Sequence, residues 1–158
     1  VRWDATGAFL FRGKIYYGGA WIKKQSVIAQ ENGTTVAALK NTYPGPHNGN
    51  EDDLIHPDAA GGEGPEKAIA QGAPSSSTIK NYFFLPTLGD YGGEHGGSGI
   101  PPANWNTLYG LGTIGFYSCS NTYAHHGFYT WALRFDNSKV SLRSTVGMHF
   151  GIPLWKAQ

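Results

Sequence analysis

Charge is scarce in this chain. Only 15% of its residues are Asp, Glu, Lys or Arg, and 12 basic residues nearly cancel 11 acidic ones. A typical soluble domain carries about a quarter charged residues. So balanced a composition excludes a protein drawn to nucleic acid by bulk charge. Cysteine is scarcer still. The single thiol, Cys119, excludes an internal disulfide and a cysteine-based zinc site, and by itself says nothing of compartment. No apolar run approaches the roughly 18 residues that a membrane helix needs, so membrane insertion by this domain is not expected. The sequence also lacks a Gly-x-Ser-x-Gly elbow and a phosphate-binding loop. Helix-forming residues are sparse beside Gly and Pro, which excludes a coiled coil or helical bundle.

What is present is aromatic and glycine-rich. Phe, Trp and Tyr make up 14% of the 158 residues, and there are 23 glycines, roughly twice the usual share. Abundant aromatics and a net charge of +1 argue against disorder. The length suits one domain, residues 1–158, able to bury a core without staples. The first residue is Val1 rather than Met, which reads as a processed or trimmed chain.

Residues 8–22 read as strand, turn, strand, split at Gly13 and closed by Gly18-Gly19. Residues 34–40 are expected to form one or two helical turns. Pro and Gly make 41–65 a loop. Pro65 to Gly72 has the punctuation of a short helix, with Pro first and Gly just past the end. Residues 79–85 look like a buried strand stopped by Pro86. A long glycine-rich loop, 86–111, follows, and loops of that length are usually functional. Residues 112–118 are another strand. Then 129–135, 139–143 and 146–150 each alternate apolar with polar residues around a turn at 136–138. That period of two predicts three antiparallel strands with one buried face, including Leu133, Phe135, Val140 and Leu142. The expected class is α+β, with small antiparallel sheets, long irregular loops and few short helices.

Little of the chemistry stands out as catalytic or metal-binding. Glu51-Asp52-Asp53, with Asn48, Asn50 and Asp58 nearby, offers oxygen ligands of the kind Ca²⁺ takes, but in no recognised spacing, and reads as a solvated loop tip. The six histidines show no helical zinc spacing, and the adjacent His125-His126 would point to opposite faces of a strand. Cys119 has a base in reach of sequence in His125 or His126, yet a small buried cysteine at a strand end is the ordinary reading. Asn32-Gly33-Thr34 fits the N-glycosylation pattern, a match common by chance. No cofactor and no metal are expected.

Aromatic, Asn and His residues crowd the loops instead. Large side chains give rigid contact area, and Asn, Ser and Gly give adaptable hydrogen bonding, the composition of a recognition surface. The candidate binding residues are Trp105, Tyr109, Asn121, Tyr123, His125, His126, Phe128, Arg143, His149 and Trp155. They fall on segments 121–130 and 143–155, with Trp105 and Tyr109 at the edge. For Trp105 and Tyr109 an equal alternative is a small satellite core pinning the long loop.

Several segments carry a family resemblance. Asn81-Tyr82-Phe83-Phe84-Leu85-Pro86-Thr87-Leu88-Gly89 resembles a segment of C-terminal domains in Bacteroides-type surface lipoproteins and fimbrillin-like proteins. Gly115-Phe116-Tyr117-Ser118-Cys119-Ser120 then stands where that family has Gly-x-Tyr-Trp-Ser-Ser-Ser. The stretch Trp131 to Val140 is similar to its hairpin, and Phe150 to Trp155 to its ending. The likeness spans roughly residues 66–155. It implies a C-type-lectin-like fold, shared with variable proteins of diversity-generating retroelements, whose C-terminal codons are diversified to bind new ligands. Tyr117 and Cys119 replace the family's Trp and a Ser, and Trp155 its terminal Arg. Targeted diversification and ordinary drift both account for this. The Glu-Pro-Asn and Trp-Asn-Asp triplets of calcium-dependent sugar-binding lectins are absent.

The resemblance implies a non-enzymatic ligand-recognition domain, an adhesin or receptor-binding module, at the C-terminal part of a longer protein. It would be extracellular, on a cell surface, pilus or virion, binding a protein or glycan on another cell. The alternative is a structural pilin or tail subunit. An enzyme on the same scaffold, of the formylglycine-generating type, would need redox-active cysteines or a metal. Oligomeric state and ligand identity stay open.

Overall fold

The computed structural model describes residues 1–41, 66–91, 108–122 and 129–147. Their order is β1 (Arg2–Phe11), β2 (Lys14–Lys23), α1 (Gln25–Glu31), α2 (Val36–Asn41), β3 (Lys67–Ala68) and β4 (Ala70–Gln71). A 3-10 turn (Ile79–Asn81) leads into β5 (Tyr82–Pro86), β6 (Asp90–Tyr91), β7 (Leu108–Tyr109), β8 (Gly115–Thr122), β9 (Tyr129–Phe135) and β10 (Lys139–Gly147). The chain is mixed α+β, mostly strand, with two short α-helices among the described residues. Neither helix is long and apolar enough to cross a membrane.

Two four-stranded sheets carry the fold, in orders β4-β1-β2-β5 and β3-β10-β9-β8, beside a two-stranded ribbon of β6 and β7. Pairing register explains how they meet. Trp3 lies opposite Ala20, Ala20 opposite Leu85, and Ile22 opposite Phe83, so these side chains share one face of the first sheet. In the second sheet Phe135 lies opposite Val140 and Gly115, and Leu133 opposite Tyr117. Trp3, Ala20, Ile69, Leu85, Phe135 and Val140 form one buried cluster, with Ile22, Phe83, Tyr117 and Leu133 packed against it. The core is therefore the seam between the two sheets, as sheet faces that alternate in register require. The Tyr117 hydroxyl crosses the seam to donate to the Pro86 carbonyl at 2.6 Å. Burial holds that phenol far above its ordinary pKa, so it remains a donor.

The expected β1–β2 hairpin, the short helix near 34–40 and the turn at 136–138 are all present. In that turn one Asp136 oxygen accepts from the Ser138 amide and hydroxyl and from the Lys139 amide, the self-bonding that favours Asp in turns. Helix α1 was not anticipated from the sequence.

Five expectations need correction. Residues 66–72 are not a helix: β3 pairs with β10 and β4 with β1, while Ile69 between them is 6% exposed. A helix this short is marginal alone, and ladder bonds to two sheets plus a buried Ile outweigh its end signals. Gly18-Gly19 does not close β2; the strand continues because the Phe84 ring lies over Gly19, where a Cβ would come within 2.3 Å of it. The strand expected at 79–85 begins only at Tyr82, after the 3-10 turn Ile79–Asn81, and Pro86 ends it from inside. The Thr87 amide bonds the Gly18 carbonyl, so by alternation the Pro86 nitrogen faces the open side of this edge strand and no ladder bond is lost. The strand placed at 112–118 starts instead at Gly115, after a turn that begins at Gly110.

The fifth correction concerns the C-terminal meander. The run at 146 belongs to β10 and pairs back on Thr130, so it is no third strand after β10; the meander is β8-β9-β10. Phe135 and Val140 are buried as expected, whereas Leu133 is only half-buried. The side chain of Leu142 lies outside the described residues. Nor is a single face buried: Phe116, Ala132 and Ser141, on the other face, are 6%, 0% and 2% exposed.

Candidate functional site

Strand β9 sits between β8 and β10, and both neighbours break register at the same level. Ser118 pairs with Ala132 and Thr122 with Thr130, so residues 119–121 of β8 stand against Trp131 alone. Across β9, Arg143 pairs with Ala132 and Val146 with Thr130, so residues 144–145 stand against that same position. Extra residues bend a strand and sharpen its twist, and such bulges concentrate where a sheet is re-aimed at a site. Here two of them coincide opposite one residue of β9.

Two of the candidate binding residues stand on these bulges. Asn121 is inside the β8 bulge, and Arg143 opens the β10 bulge one strand beyond β9. The connection 123–128 leaves from Thr122, paired to Thr130, and the chain continues past Gly147, paired to Tyr129. Residues 121–122, 129–130 and 143–147 thus lie at one end of the sheet. Trp105, Tyr123, His125, His126, Phe128, His149 and Trp155 lie outside the described residues, as does the acidic run 51–53. The bulges themselves had no reading in the sequence. Their trace is Ser118-Cys119-Ser120-Asn121 and Ser144-Thr145, short polar side chains interrupting apolar alternation.

Tyr109 is placed elsewhere. It stands on the β6–β7 ribbon, 38% exposed, with its carbonyl against Gly89. The turn after it delivers the chain to Gly115 at the start of β8. Asn121 is near the far end of that strand, about 20 Å of extended chain away.

A buried carboxylate is the first place to look for chemistry, and Asp4 is 6% exposed. Both of its oxygens are occupied. Oδ1 accepts from the Thr6 amide at 2.9 Å and the Thr6 hydroxyl at 2.7 Å, and Oδ2 accepts from the Trp21 indole at 2.9 Å. Burial alone would raise its pKa, but the bonds from Trp21, Thr6 and the Gly7 amide outweigh that and lower it. The group anchors the bulge between Asp4 and Ala8 in β1 and has no oxygen directed at open space. Because its folded pKa is depressed, its stabilisation is present above the unfolded value of about 3.9 and is lost as pH falls through the lower folded value. Asp4→Ala should cost about 1–3 kcal/mol at neutral pH, since it strands the Trp21 and Thr6 donors. Urea unfolding across that acid window should show a flatter pH dependence for the variant than for the parent.

Among the described residues no three His, Cys, Asp or Glu side chains cluster closely enough to hold a metal ion. No family model, curated protein or solved structure matches this chain.

Proposed function

We propose that this chain is a non-enzymatic ligand-recognition domain of C-type-lectin-like kind, displayed on a cell surface, pilus or virion. The observation that supports the proposal is the pair of bulges opposite Trp131, which stand at the end of the sheet where the backbone of Asn121 and Arg143 lies. Two small sheets, antiparallel but for the short β1–β4 pair, together with short helices, support the fold that the resemblance implies. A rigid core with adaptable segments at one end is how recognition domains vary contacts without losing stability. The ligand is a protein or glycan on another cell.

The test is an alanine scan of Asn121, Tyr123, His126, Phe128, Arg143 and Trp155 against a ligand found by screening glycan and surface-protein arrays. Truncating a central aromatic should weaken binding by about 2 kcal/mol or more with the circular dichroism spectrum unchanged. Low net charge implies a shallow salt dependence. If every substitution leaves affinity and fold intact, this end of the sheet is not the binding surface. If binding is found only between copies of the chain, the structural-subunit reading replaces this one.

A further inference from the structure

Helix α1 ends in a cap built on an asparagine–glycine pair. Asn32 takes φ -98 and ψ 9, and Gly33 takes the left-handed φ +61. The Thr34 amide then donates to the Ala29 carbonyl at 2.9 Å, and the Gly33 amide to the Gln30 carbonyl at 3.1 Å. That is the pair of bonds by which a left-handed glycine closes a helix. Asn32 completes the cap. Its backbone amide and its side-chain Nδ2 both donate to the Ile28 carbonyl, at 3.1 and 2.8 Å. The site is open to water: Glu31, Asn32 and Gly33 are exposed, and nothing lies within 4 Å of the Cβ that Gly33 lacks.

The glycine that this cap needs also makes its asparagine labile. An asparagine side chain loses ammonia when the next backbone nitrogen attacks its Cγ, and a following glycine offers that nitrogen with no side chain in the way. Ring closure requires the attacking nitrogen to eclipse Cβ about the Cα–C bond. At ψ 9 the Gly33 nitrogen eclipses the amide nitrogen of Asn32 instead. Its proton is held by Gln30, and Nδ2, the leaving group, is held by Ile28. The closed cap therefore blocks the reaction, and opening the last turn releases it. That opening costs little. A helix of 7 residues, with Ala29 its buried residue, is marginal by itself, and helix ends open first.

We propose that Asn32 is a latched deamidation site, closed by the capped end of α1 and converted when that end opens. The Gly33 nitrogen bonds to Cγ and gives up its proton, Nδ2 leaves as ammonia, and water opens the resulting imide to aspartate or isoaspartate. Water is the only co-reactant. Loss of ammonia makes the step one-way, and neither product remakes the cap. Aspartate has no donor for the Ile28 carbonyl and sets a carboxylate beside Glu31 at the negative end of the helix. Isoaspartate also lengthens the backbone between residues 32 and 33, which spoils the spacing of the bonds to Ala29 and Gln30. Glu31 joins α1 to Lys23, the last residue of β2, at 2.8 Å, so what loosens this turn loosens that link. The site is on α1, apart from the bulged end of the second sheet, and its test does not depend on the recognition reading.

The full chain is incubated in mildly alkaline buffer, native and in urea, then quenched in acid and digested with trypsin. Cleavage after Lys24 and Lys40 yields Gln25–Lys40, in which Asn32 is the only asparagine. Its conversion is read by mass and by isoaspartyl methyltransferase labelling. Conversion is expected in both samples, about tenfold or more slower in the native chain. Gln30→Gly, at an exposed position in the last turn, should speed it about fivefold in the native chain and leave it unchanged in urea. Asn32→Asp, which supplies the charge of the product, should make the Gly33 and Thr34 amides exchange about tenfold faster, with those of β1 unchanged. Equal rates with and without urea, no conversion in the native chain after the urea sample is exhausted, or indifference to Gln30→Gly would overturn the proposal. So would unchanged exchange at Gly33 and Thr34 in Asn32→Asp.

Discussion

Phe135→Ala is expected to destabilise the domain by about 3–5 kcal/mol, much of what a domain of this size has to spare. Phe135 is 1% exposed and joins Trp3, Leu85 and Val140 in the seam. Its ring stacks on Tyr117 at 6.1 Å between centroids, only 5° from parallel. It also fills the space above Gly115, where a Cβ would come within 2.0 Å of it. Truncation would therefore open a cavity bounded by both sheets, one that Gly115 has no side chain to fill. Urea unfolding should report the loss as a lower midpoint with little change in slope. Leu133→Ala, at a half-buried position on the same face, should cost less. Equal costs would mean that the seam is not centred on Phe135.

Gly89→Ala is expected to be comparably severe for a different reason. Gly89 has φ +67, and a Cβ there would lie 2.0 Å from the Tyr109 carbonyl oxygen and 2.9 Å from the Leu111 amide nitrogen. The Gly89 amide meanwhile donates to the Ile114 carbonyl at 2.9 Å. A left-handed φ costs an alanine about 1–2 kcal/mol. The clash is with backbone, which cannot rotate away, so the β6–β7 ribbon must separate from the end of β5. A total of about 3 kcal/mol or more is expected. Gly13→Ala is the control: φ is also positive, at +77, but nothing lies within 4 Å of its Cβ, so it should show the backbone cost alone. A Gly89→Ala protein no less stable than Gly13→Ala would contradict the close approach.

Local signals predicted the elements whose pairing is itself local. The β1–β2 hairpin has its turn at Gly13 and aromatic, β-branched runs on either side, and its strands pair directly. The turn at 136–138 is built by Asp136 bonding its own neighbours. Residue type and segment alone point to Asn121 and Arg143 as candidates. Their placement across β9 from each other came from register.

Alternation failed as a guide to faces where a bulge intervened. Val140, Leu142 and Val146 all carry even numbers, so the sequence shows one uninterrupted pattern. In the sheet Val140 and Leu142 pair with Phe135 and Leu133, whereas Val146 pairs with Thr130. One extra residue shifts the phase, and no residue type in Ser144-Thr145 demands it.

Residues 66–72 depart from their local signals for a related reason. Their Pro and Gly punctuation is local, and it is weaker than the burial of Ile69 and the ladder bonds that Val140 and Arg2 offer from remote parts of the chain. The sequence alone determined the class: low charge, abundant aromatics, period-two runs and glycine turns suffice for an α+β domain rich in strand, because those properties act within a few residues. Only the tertiary structure decided which strands share a sheet, that both faces of the second sheet are buried, and where its two bulges coincide. Those depend on contacts between residues far apart in sequence, whose free energy no short window contains.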